Sequence, residues 1–402
     1  MRYVVSALHH SIPPLRPGLI AEEDNIGWHF RTAKALMRYG GFRAIAARPS
    51  GSETTLVKLI DGTPVVLTPT INLSPSGKLW KWSEYSPALA QLTEYLVKKL
   101  DAIPYIHEYR ALNSELIMRR LIGYPMILQH HGSQPPTLRN VLKLNIINGI
   151  KELSKIRRET LLRKVKGAIF VLNNTEKKYL ESLGVDAEVR VRTMAVDFNE
   201  LKPPSQEEKK ALRTKYGIPV ESTVLITYAG VFGEEFSTLK GTHLLARLWR
   251  DLRREHNKLA LIVTGLGRAW VRAFQGLGIM AYGFLPHRDF IELLKASDVY
   301  FLMATPGYYG GIGVAIMEAL ALGKPVVSPT LIEYPETKQI KNLGAATPYV
   351  SNEETYKKFL KSLNQVITNL EDYDQDTIRN LTYKYYSWES FTKEFTEVAG
   401  KL

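Results

Sequence analysis

Apolar and polar positions follow two alternating rhythms along this chain. Short apolar runs rich in Val, Ile and Leu occur at Tyr3 to Leu8, Pro125 to His130, Ala168 to Leu172, Thr223 to Ala229, Leu259 to Gly265, Asp298 to Met303 and Pro325 to Ser328. Between them lie longer segments with the 3.6-residue period of amphipathic helices, at Gly27 to Tyr39, Leu239 to His256, His287 to Ala296, Gly313 to Leu322 and Glu353 to Leu370. Strands that are apolar throughout, each followed by a helix, predict parallel sheets covered by helices on both faces. The fold class is therefore α/β, doubly wound. At 402 residues the chain exceeds one usual domain, and the polar, Pro-containing stretch Leu201 to Lys209 falls between two strand-helix series. The expected division is 1–200 and 201–384, with a terminal helix in 385–402 that opens after Ser387.

The chain contains no Cys, which removes disulfides, thiol nucleophiles and Cys-ligated metals and leaves His, carboxylates, Lys, Arg and backbone dipoles to carry chemistry. The longest apolar run, Gly311 to Leu322, holds Glu318 and falls short of the roughly 20 residues a spanning helix needs. Met1 to Leu8 runs into His9 and His10 without the apolar core of a signal peptide, so a cytoplasmic location is expected.

The net charge is +13, and residues 1–200 supply most of it, with 28 Lys and Arg against 18 Asp and Glu. Thr137 to Lys166 alone has nine basic residues against two acidic ones, interleaved with Leu142, Ile146, Ile150, Leu153, Ile156, Leu161 and Val165. One reading is a core-packed helix with a solvated basic face. The other is a surface, carrying Lys155, Arg157, Arg158 and Arg163, that meets an anionic acceptor or the anionic inner face of the cell membrane. No nucleic-acid-binding signature accompanies the charge, so nucleic acid is not an expected partner.

The densest candidate chemistry lies in Tyr309 to Ser328. A strand ends near Met303, a Gly-rich turn follows at Gly310, Gly311 and Gly313, a helix opens, and Gly323-Lys324-Pro325 stops it. Backbone N–H groups at such a turn, with the helix dipole behind them, suit a phosphate. Glu318 lies a turn and a half inside the helix, where a carboxylate can accept hydrogen bonds from two ribose hydroxyls.

Gly310 to Ser328, with Ala296-Ser297-Asp298-Val299, resembles the C-terminal signature of the GT-B glycosyltransferases of family 4, the group 1 glycosyltransferases. Lys240-Gly241, Thr264-Gly265-Leu266-Gly267, Val196-Asp197 and Tyr386-Ser387-Trp388-Glu389 resemble further pieces in the family's order. Asn25-Ile26-Gly27-Trp28 is similar to the glycine turn before the first helix, and Gln129-His130-His131-Gly132 to the strand that ends in His-Gly. The resemblance implies two Rossmann-like domains facing across a cleft, the first for the acceptor and the second for a nucleotide-diphosphate sugar, with the terminal helix crossing back to the first.

It also implies roles. Lys240 would contact the donor diphosphate, Glu318 the ribose, the amides of Gly311, Ile312 and Gly313 the donor, Gly27 and Gly230 the phosphate-facing turns, and His131 the region of the anomeric carbon. The implied reaction is hexosyl transfer to a hydroxyl of a glycan or lipid-linked acceptor, with retention of configuration and with no metal or cofactor required. The chain departs from the pattern twice: Gly310 stands where the family's first signature Glu contacts the donor sugar, and Val231 stands where an Arg shares the diphosphate. Two other readings stay open: a sugar-nucleotide epimerase on the same fold, and a catalytically silent sugar-nucleotide-binding partner subunit, which the two departures favour. Asp372-Tyr373-Asp374 has the spacing of a metal motif but follows a helix, and the adjacent pairs His9-His10 and His130-His131 point to opposite faces of their strands, so neither makes a metal site.

Overall fold

The structure, a computed structural model, describes residues 2–11, 27–73, 83–136, 146–230 and 238–402, with side chains from 153 onward in the helix that opens at Ile146. Asn25, Ile26, Val231, Arg139 and Lys143 lie outside the described residues. The chain forms two compact units, one of Met1–Thr193 with Phe391–Leu402 and one of Met194–Ser390.

The first unit is built on β1 (Tyr3–Leu8), α1 (Gly27–Gly40), β2 (Arg43–Ser50), β3 (Leu56–Ile60), β4 (Thr63–Pro69), α2 (Pro87–Leu100), β5 (Ile103–His107), α3 (Leu112–Arg120), β6 (Pro125–Gln129), α4 (Ile146–Leu162), β7 (Lys166–Val171), α5 (Asn174–Ser182) and β8 (Glu188–Val191). These eight strands form one sheet in the order β8-β7-β6-β5-β1-β2-β4-β3, parallel except for the edge strand β3. Asp61 and Gly62, both with φ in the left-handed region, make the two-residue turn that reverses β3 into β4. Val5, Ala7 and Ile106 face a core shared with Leu89 and Val97 of α2 and Ile117 of α3. On the opposite face Tyr105 and Phe42 pack against the fully buried Phe395 of the terminal helix. Burying one such ring contributes about 1.5–3 kcal/mol.

The basic segment is α4, and two of its four candidate surface residues are corrected. Lys155 and Arg158 are buried. Arg158 Nε bonds Glu115 Oε2 at 2.9 Å and its Nη1 donates to the Arg110 carbonyl, while Lys155 Nζ donates to the Gln134 carbonyl at 3.3 Å. Leu153, placed in the apolar stripe by its spacing, is 56% exposed. The inner face of α4 therefore carries charges because the wall it meets is ionic, with Glu115 on α3 and Arg110 beside it. Arg157 and Arg163 do face solvent, and Arg157 also reaches Glu115, at 2.7 Å.

The second unit contains α6 (Gln206–Lys215), β9 (Thr223–Tyr228), α7 (Leu245–Glu255), β10 (Leu259–Thr264), α8 (Arg268–Gln275), β11 (Met280–Ala281), α9 (His287–Ala296), β12 (Val299–Phe301), α10 (Val314–Ala321), β13 (Val326–Ser328), β14 (Gly344–Ala346), α11 (Glu353–Thr368) and α12 (Gln375–Tyr386). The sheet is parallel throughout, in the order β11-β10-β9-β12-β13-β14. The helix predicted from Leu239 starts only at Leu245, after 3-10 turns at Thr238–Lys240 and Thr242–Leu244. Gly241 separates them at φ +65°, and a Cβ there would lie 2.1 Å from the Met303 carbonyl oxygen, so the backbone passes where only glycine fits. Asp372 closes a short 3-10 turn and Asp374 caps α12 by accepting from Thr377 N, which gives both carboxylates of that pair ordinary structural surroundings.

Candidate active site

In the second unit the strand order reverses between β9 and β12, and the crevice of a doubly wound sheet opens where the chain leaves such strands. The loops that leave them converge there. Thr305 N donates to the Leu239 carbonyl and Thr305 Oγ1 to the Thr238 carbonyl, which fastens the turn bearing Lys240 to the end of β12.

Lys240 is half-buried, with Nζ 4.4 Å from the centre of the Tyr228 ring, and a Cβ on Gly230 would come within 2.7 Å of that nitrogen. Among the described residues no carboxylate or carbonyl pairs with the ammonium. Desolvation lowers its pKa to about 8. Burial also pushes the Tyr228 phenol up to about 12, so the ring meets the ammonium as a neutral π face. A cation drawn out of water and offset only by an aromatic ring is poised for an anion.

The glycine turn before α10 follows the sequence expectation in outline. Gly311 sits at φ +55°, Ile312 is buried, and Gly313 is the N-cap of α10 with no side-chain capping bond. Ile316 N donates to the Gly313 carbonyl at 3.0 Å, and the N–H groups of Val314 and Ala315, which have no intrahelical acceptors, suit a ligand or water. Gly310 is crowded: a Cβ there would be 2.5 Å from the Tyr308 hydroxyl. Tyr308, half-buried and with its phenol raised to about 12 by desolvation, fills the space beside position 310.

Glu318 is 3% exposed, and the His287 imidazole meets its carboxyl, Nε2 to Oε1, at 2.6 Å. His287 opens α9, and its half-exposed ring meets the carboxylate of a helix whose residues from Ile316 to Ala321 are all buried. Sequence reading passed over His287, Tyr228 and Tyr308. For His287 the available signal was a polar residue opening a helix after Pro286.

In the first unit His131 follows β6, half-buried. Its Nε2 lies 2.9 Å from His107 Nδ1, and His107 Nε2 lies 2.9 Å from Ser6 Oγ. Burial, then His131 and His29, hold the His107 pKa well below its usual value, so His107 is the neutral link. The chain is satisfied when Ser6 donates to His107 and His107 donates to His131. Glu108, at φ +58°, accepts from His131 N, Ser133 N and the Ser133 hydroxyl and so fixes the loop that carries His131. Burial alone would raise the Glu108 pKa, but His130, the Ser133 hydroxyl, His131 and Arg110 together keep it below the usual carboxylate range. His107 and Glu108 were missed as well, although Ile103 to Ile106 is an apolar run ending in two polar residues, the pattern that marks a strand end facing a crevice. Gly27 opens α1 at φ +47°.

Residues 223–369 match the family described as Glycosyl transferases group 1. A D-inositol 3-phosphate glycosyltransferase of Corynebacterium jeikeium is 26% identical over 244 residues, covering 56% of this chain and 55% of its own, so the match spans about half the length of that curated relative. Among solved structures, the sucrose-phosphate synthase of Thermosynechococcus elongatus aligns over 100% of this chain and 99% of its own with TM-score 0.69 at 12% identity. Anabaena HepE in complex with UDP-glucose aligns over 100% of both chains with TM-score 0.62 at 16% identity. The two doubly wound units thus have the fold of GT-B glycosyltransferases, and residues 223–369 are similar in sequence to the group 1 glycosyltransferases.

Proposed function

We propose that the protein transfers a glycosyl group from a nucleotide-diphosphate sugar to an acceptor hydroxyl, with the donor held by the second unit and the acceptor by the first. The observation that carries this reading is Lys240, a desolvated ammonium with no acid partner among the described residues, beside a glycine at the point of strand-order reversal. The uncapped start of α10 adds N–H donors for the same diphosphate, and Glu318 offers a buried carboxylate for ribose hydroxyls.

As the bond to the anomeric carbon breaks, negative charge grows on the leaving diphosphate, and Lys240 with the helix-start amides stabilises it there more than in the ground state. The leaving phosphate oxygen can take the acceptor proton on the same face, which gives retention without an enzyme nucleophile. In this reading the charge of the diphosphate is met by the chain itself, without a resident metal or cofactor. HepE was solved with UDP-glucose, and a uridine diphosphate hexose is the donor we propose for this chain. The acceptor is a hydroxyl compound. Attachment to an anionic membrane is not part of the reading, because Lys155 and Arg158 lie inside the unit.

The test is to incubate the protein with UDP-glucose and a panel of hydroxyl acceptors. Stoichiometric UDP and glycosylated product support the reading. An isomerised donor without product would show an epimerase, and tight UDP binding without any turnover would show a silent binder.

A further inference from the structure

In the first unit the strand order reverses between β1 and β5, where β1 lies between β2 on one side and β5 on the other. The crevice at the ends of these strands is bordered by His10, which follows β1, and by His107, which ends β5. Helix α1 returns over this edge, and its inward stripe is His29, Ala33 and Leu36 with Thr32 beside them. Ala33 and Leu36 are ordinary core residues. His29 is 1% exposed, yet among the described residues neither of its ring nitrogens has a hydrogen-bond partner. Leaving a buried polar group unpaired is costly, and native structures rarely tolerate it without a reason.

The surroundings of that ring are basic. Arg48, buried on β2, and His10 act on it electrostatically, and His29 in turn acts on His107. Glu84 approaches the same loop but is engaged by Ser11, whose N and Oγ donate to its two carboxylate oxygens at 2.6 and 2.8 Å. The first turn of α1, which opens at Gly27, carries no acidic side chain, and the first-turn N–H groups of a helix have no intrahelical acceptors.

We propose that His29, Arg48, His10 and the first-turn amides of α1 form a binding site for a phosphate monoester carried by the acceptor. This assignment rests on the glycosyl-transfer reading, in which the first unit receives the acceptor and Lys240 of the second receives the donor diphosphate. A phosphate suits the site because its three terminal oxygens can be met at once by an imidazole, a guanidinium and backbone amides. Burial first, then Arg48 and His10, keep His29 neutral while the site is empty of anion. A dianion reverses that balance, so the ring takes up a proton when the phosphate binds. The charged groups that set this response are Arg48 on β2, His10 after β1 and His107 on β5.

The experiment is calorimetric titration of the full chain, saturated with UDP, with glucose 6-phosphate and separately with glucose, in two buffers of different ionisation heat at pH 7. Glucose 6-phosphate is expected to bind at least tenfold more tightly than glucose, with net proton uptake. His29→Leu is expected to abolish both the preference and the uptake. His29→Gln, which can still donate one hydrogen bond, is expected to keep part of the preference without the uptake. Unchanged UDP affinity in both variants shows that they are folded. No preference for the phosphorylated sugar overturns the proposal, as does a preference that survives His29→Leu. Competition between UDP and glucose 6-phosphate also overturns it, since the site would then take the donor's own phosphates. Failure of the transferase reading is seen separately, as absence of UDP binding or of donor turnover.

Discussion

Arg110 in the first unit and Lys240 in the second are both cations drawn out of water, but their surroundings differ in kind. Arg110 is fully buried, and its Nη2 meets Glu176 at 2.7 Å and Glu159 at 3.3 Å, while its Nη1 donates to the Ser133 carbonyl at 2.7 Å. Tyr109 and Tyr179 donate to the same two glutamates. Lys240 has the Tyr228 ring and no carboxylate among the described residues. The paired cation is part of the wall of a unit, and the unpaired one is an address for a ligand. Total charge hides the distinction, because the unit with the larger basic excess pairs some of its cations internally, as Arg158 does with Glu115.

The largest effect that tests this contrast is on Arg110. Arg110→Leu removes the partner of two buried carboxylates and is expected to cost about 3–5 kcal/mol of stability, measured by urea unfolding. Donor affinity at the second unit should be unchanged at temperatures where the variant is folded. A variant of near-native stability would show that the glutamates are protonated or repartnered, and the comparison would lose one side.

Next is Lys240→Met, which keeps the side-chain length and removes the charge. It is expected to lower kcat/KM for the donor by about 10²–10³, the range found when one donor to a developing anion is lost, and to leave stability unchanged or improved. Loss of stability with unchanged turnover would make Lys240 structural, like Arg110. A smaller effect is expected for Glu318→Ala, which should weaken donor binding by about 1.5–3 kcal/mol through loss of a charged hydrogen-bond partner. His287→Ala sharpens that result. If His287 only orients Glu318, donor affinity should fall less than in Glu318→Ala, and the double variant should match Glu318→Ala, as a double-mutant cycle would show.

Much of the second unit was legible in the sequence. The runs Thr223 to Ala229, Leu259 to Gly265 and Pro325 to Ser328 read as strands because they are apolar throughout, and His287–Ala296 is bounded as its period predicts. The first unit was read less well for physical reasons. β2 contains Arg48 and Pro49, and β5 contains Pro104, residues that argue locally against a strand but are accommodated where the sheet passes them. The stripe on α4 misled because period reports which residues share a face, not which face is buried. An ionic cluster drew the basic face inward and left Leu153 outside. At the candidate site, Lys240 and Glu318 were found by motif, whereas His287 and Tyr308 became visible only through contacts that span many residues of sequence.

The central claim is that Lys240 is held as an uncompensated ammonium for the donor diphosphate, and the pH dependence of UDP affinity tests it most directly. Burial sets the pKa of Lys240 in the unligated protein to about 8. Below that pH the group is already charged and affinity is full. Above it, binding must also recover a proton, and affinity falls by up to about tenfold per pH unit. Titration from pH 7 to 9.5 should therefore show affinity level at first and then declining from near pH 8 in the native protein, with the Lys240→Met variant weak and level across the range. A native profile that stays flat to pH 9.5, or a decline that persists in Lys240→Met, would contradict the account.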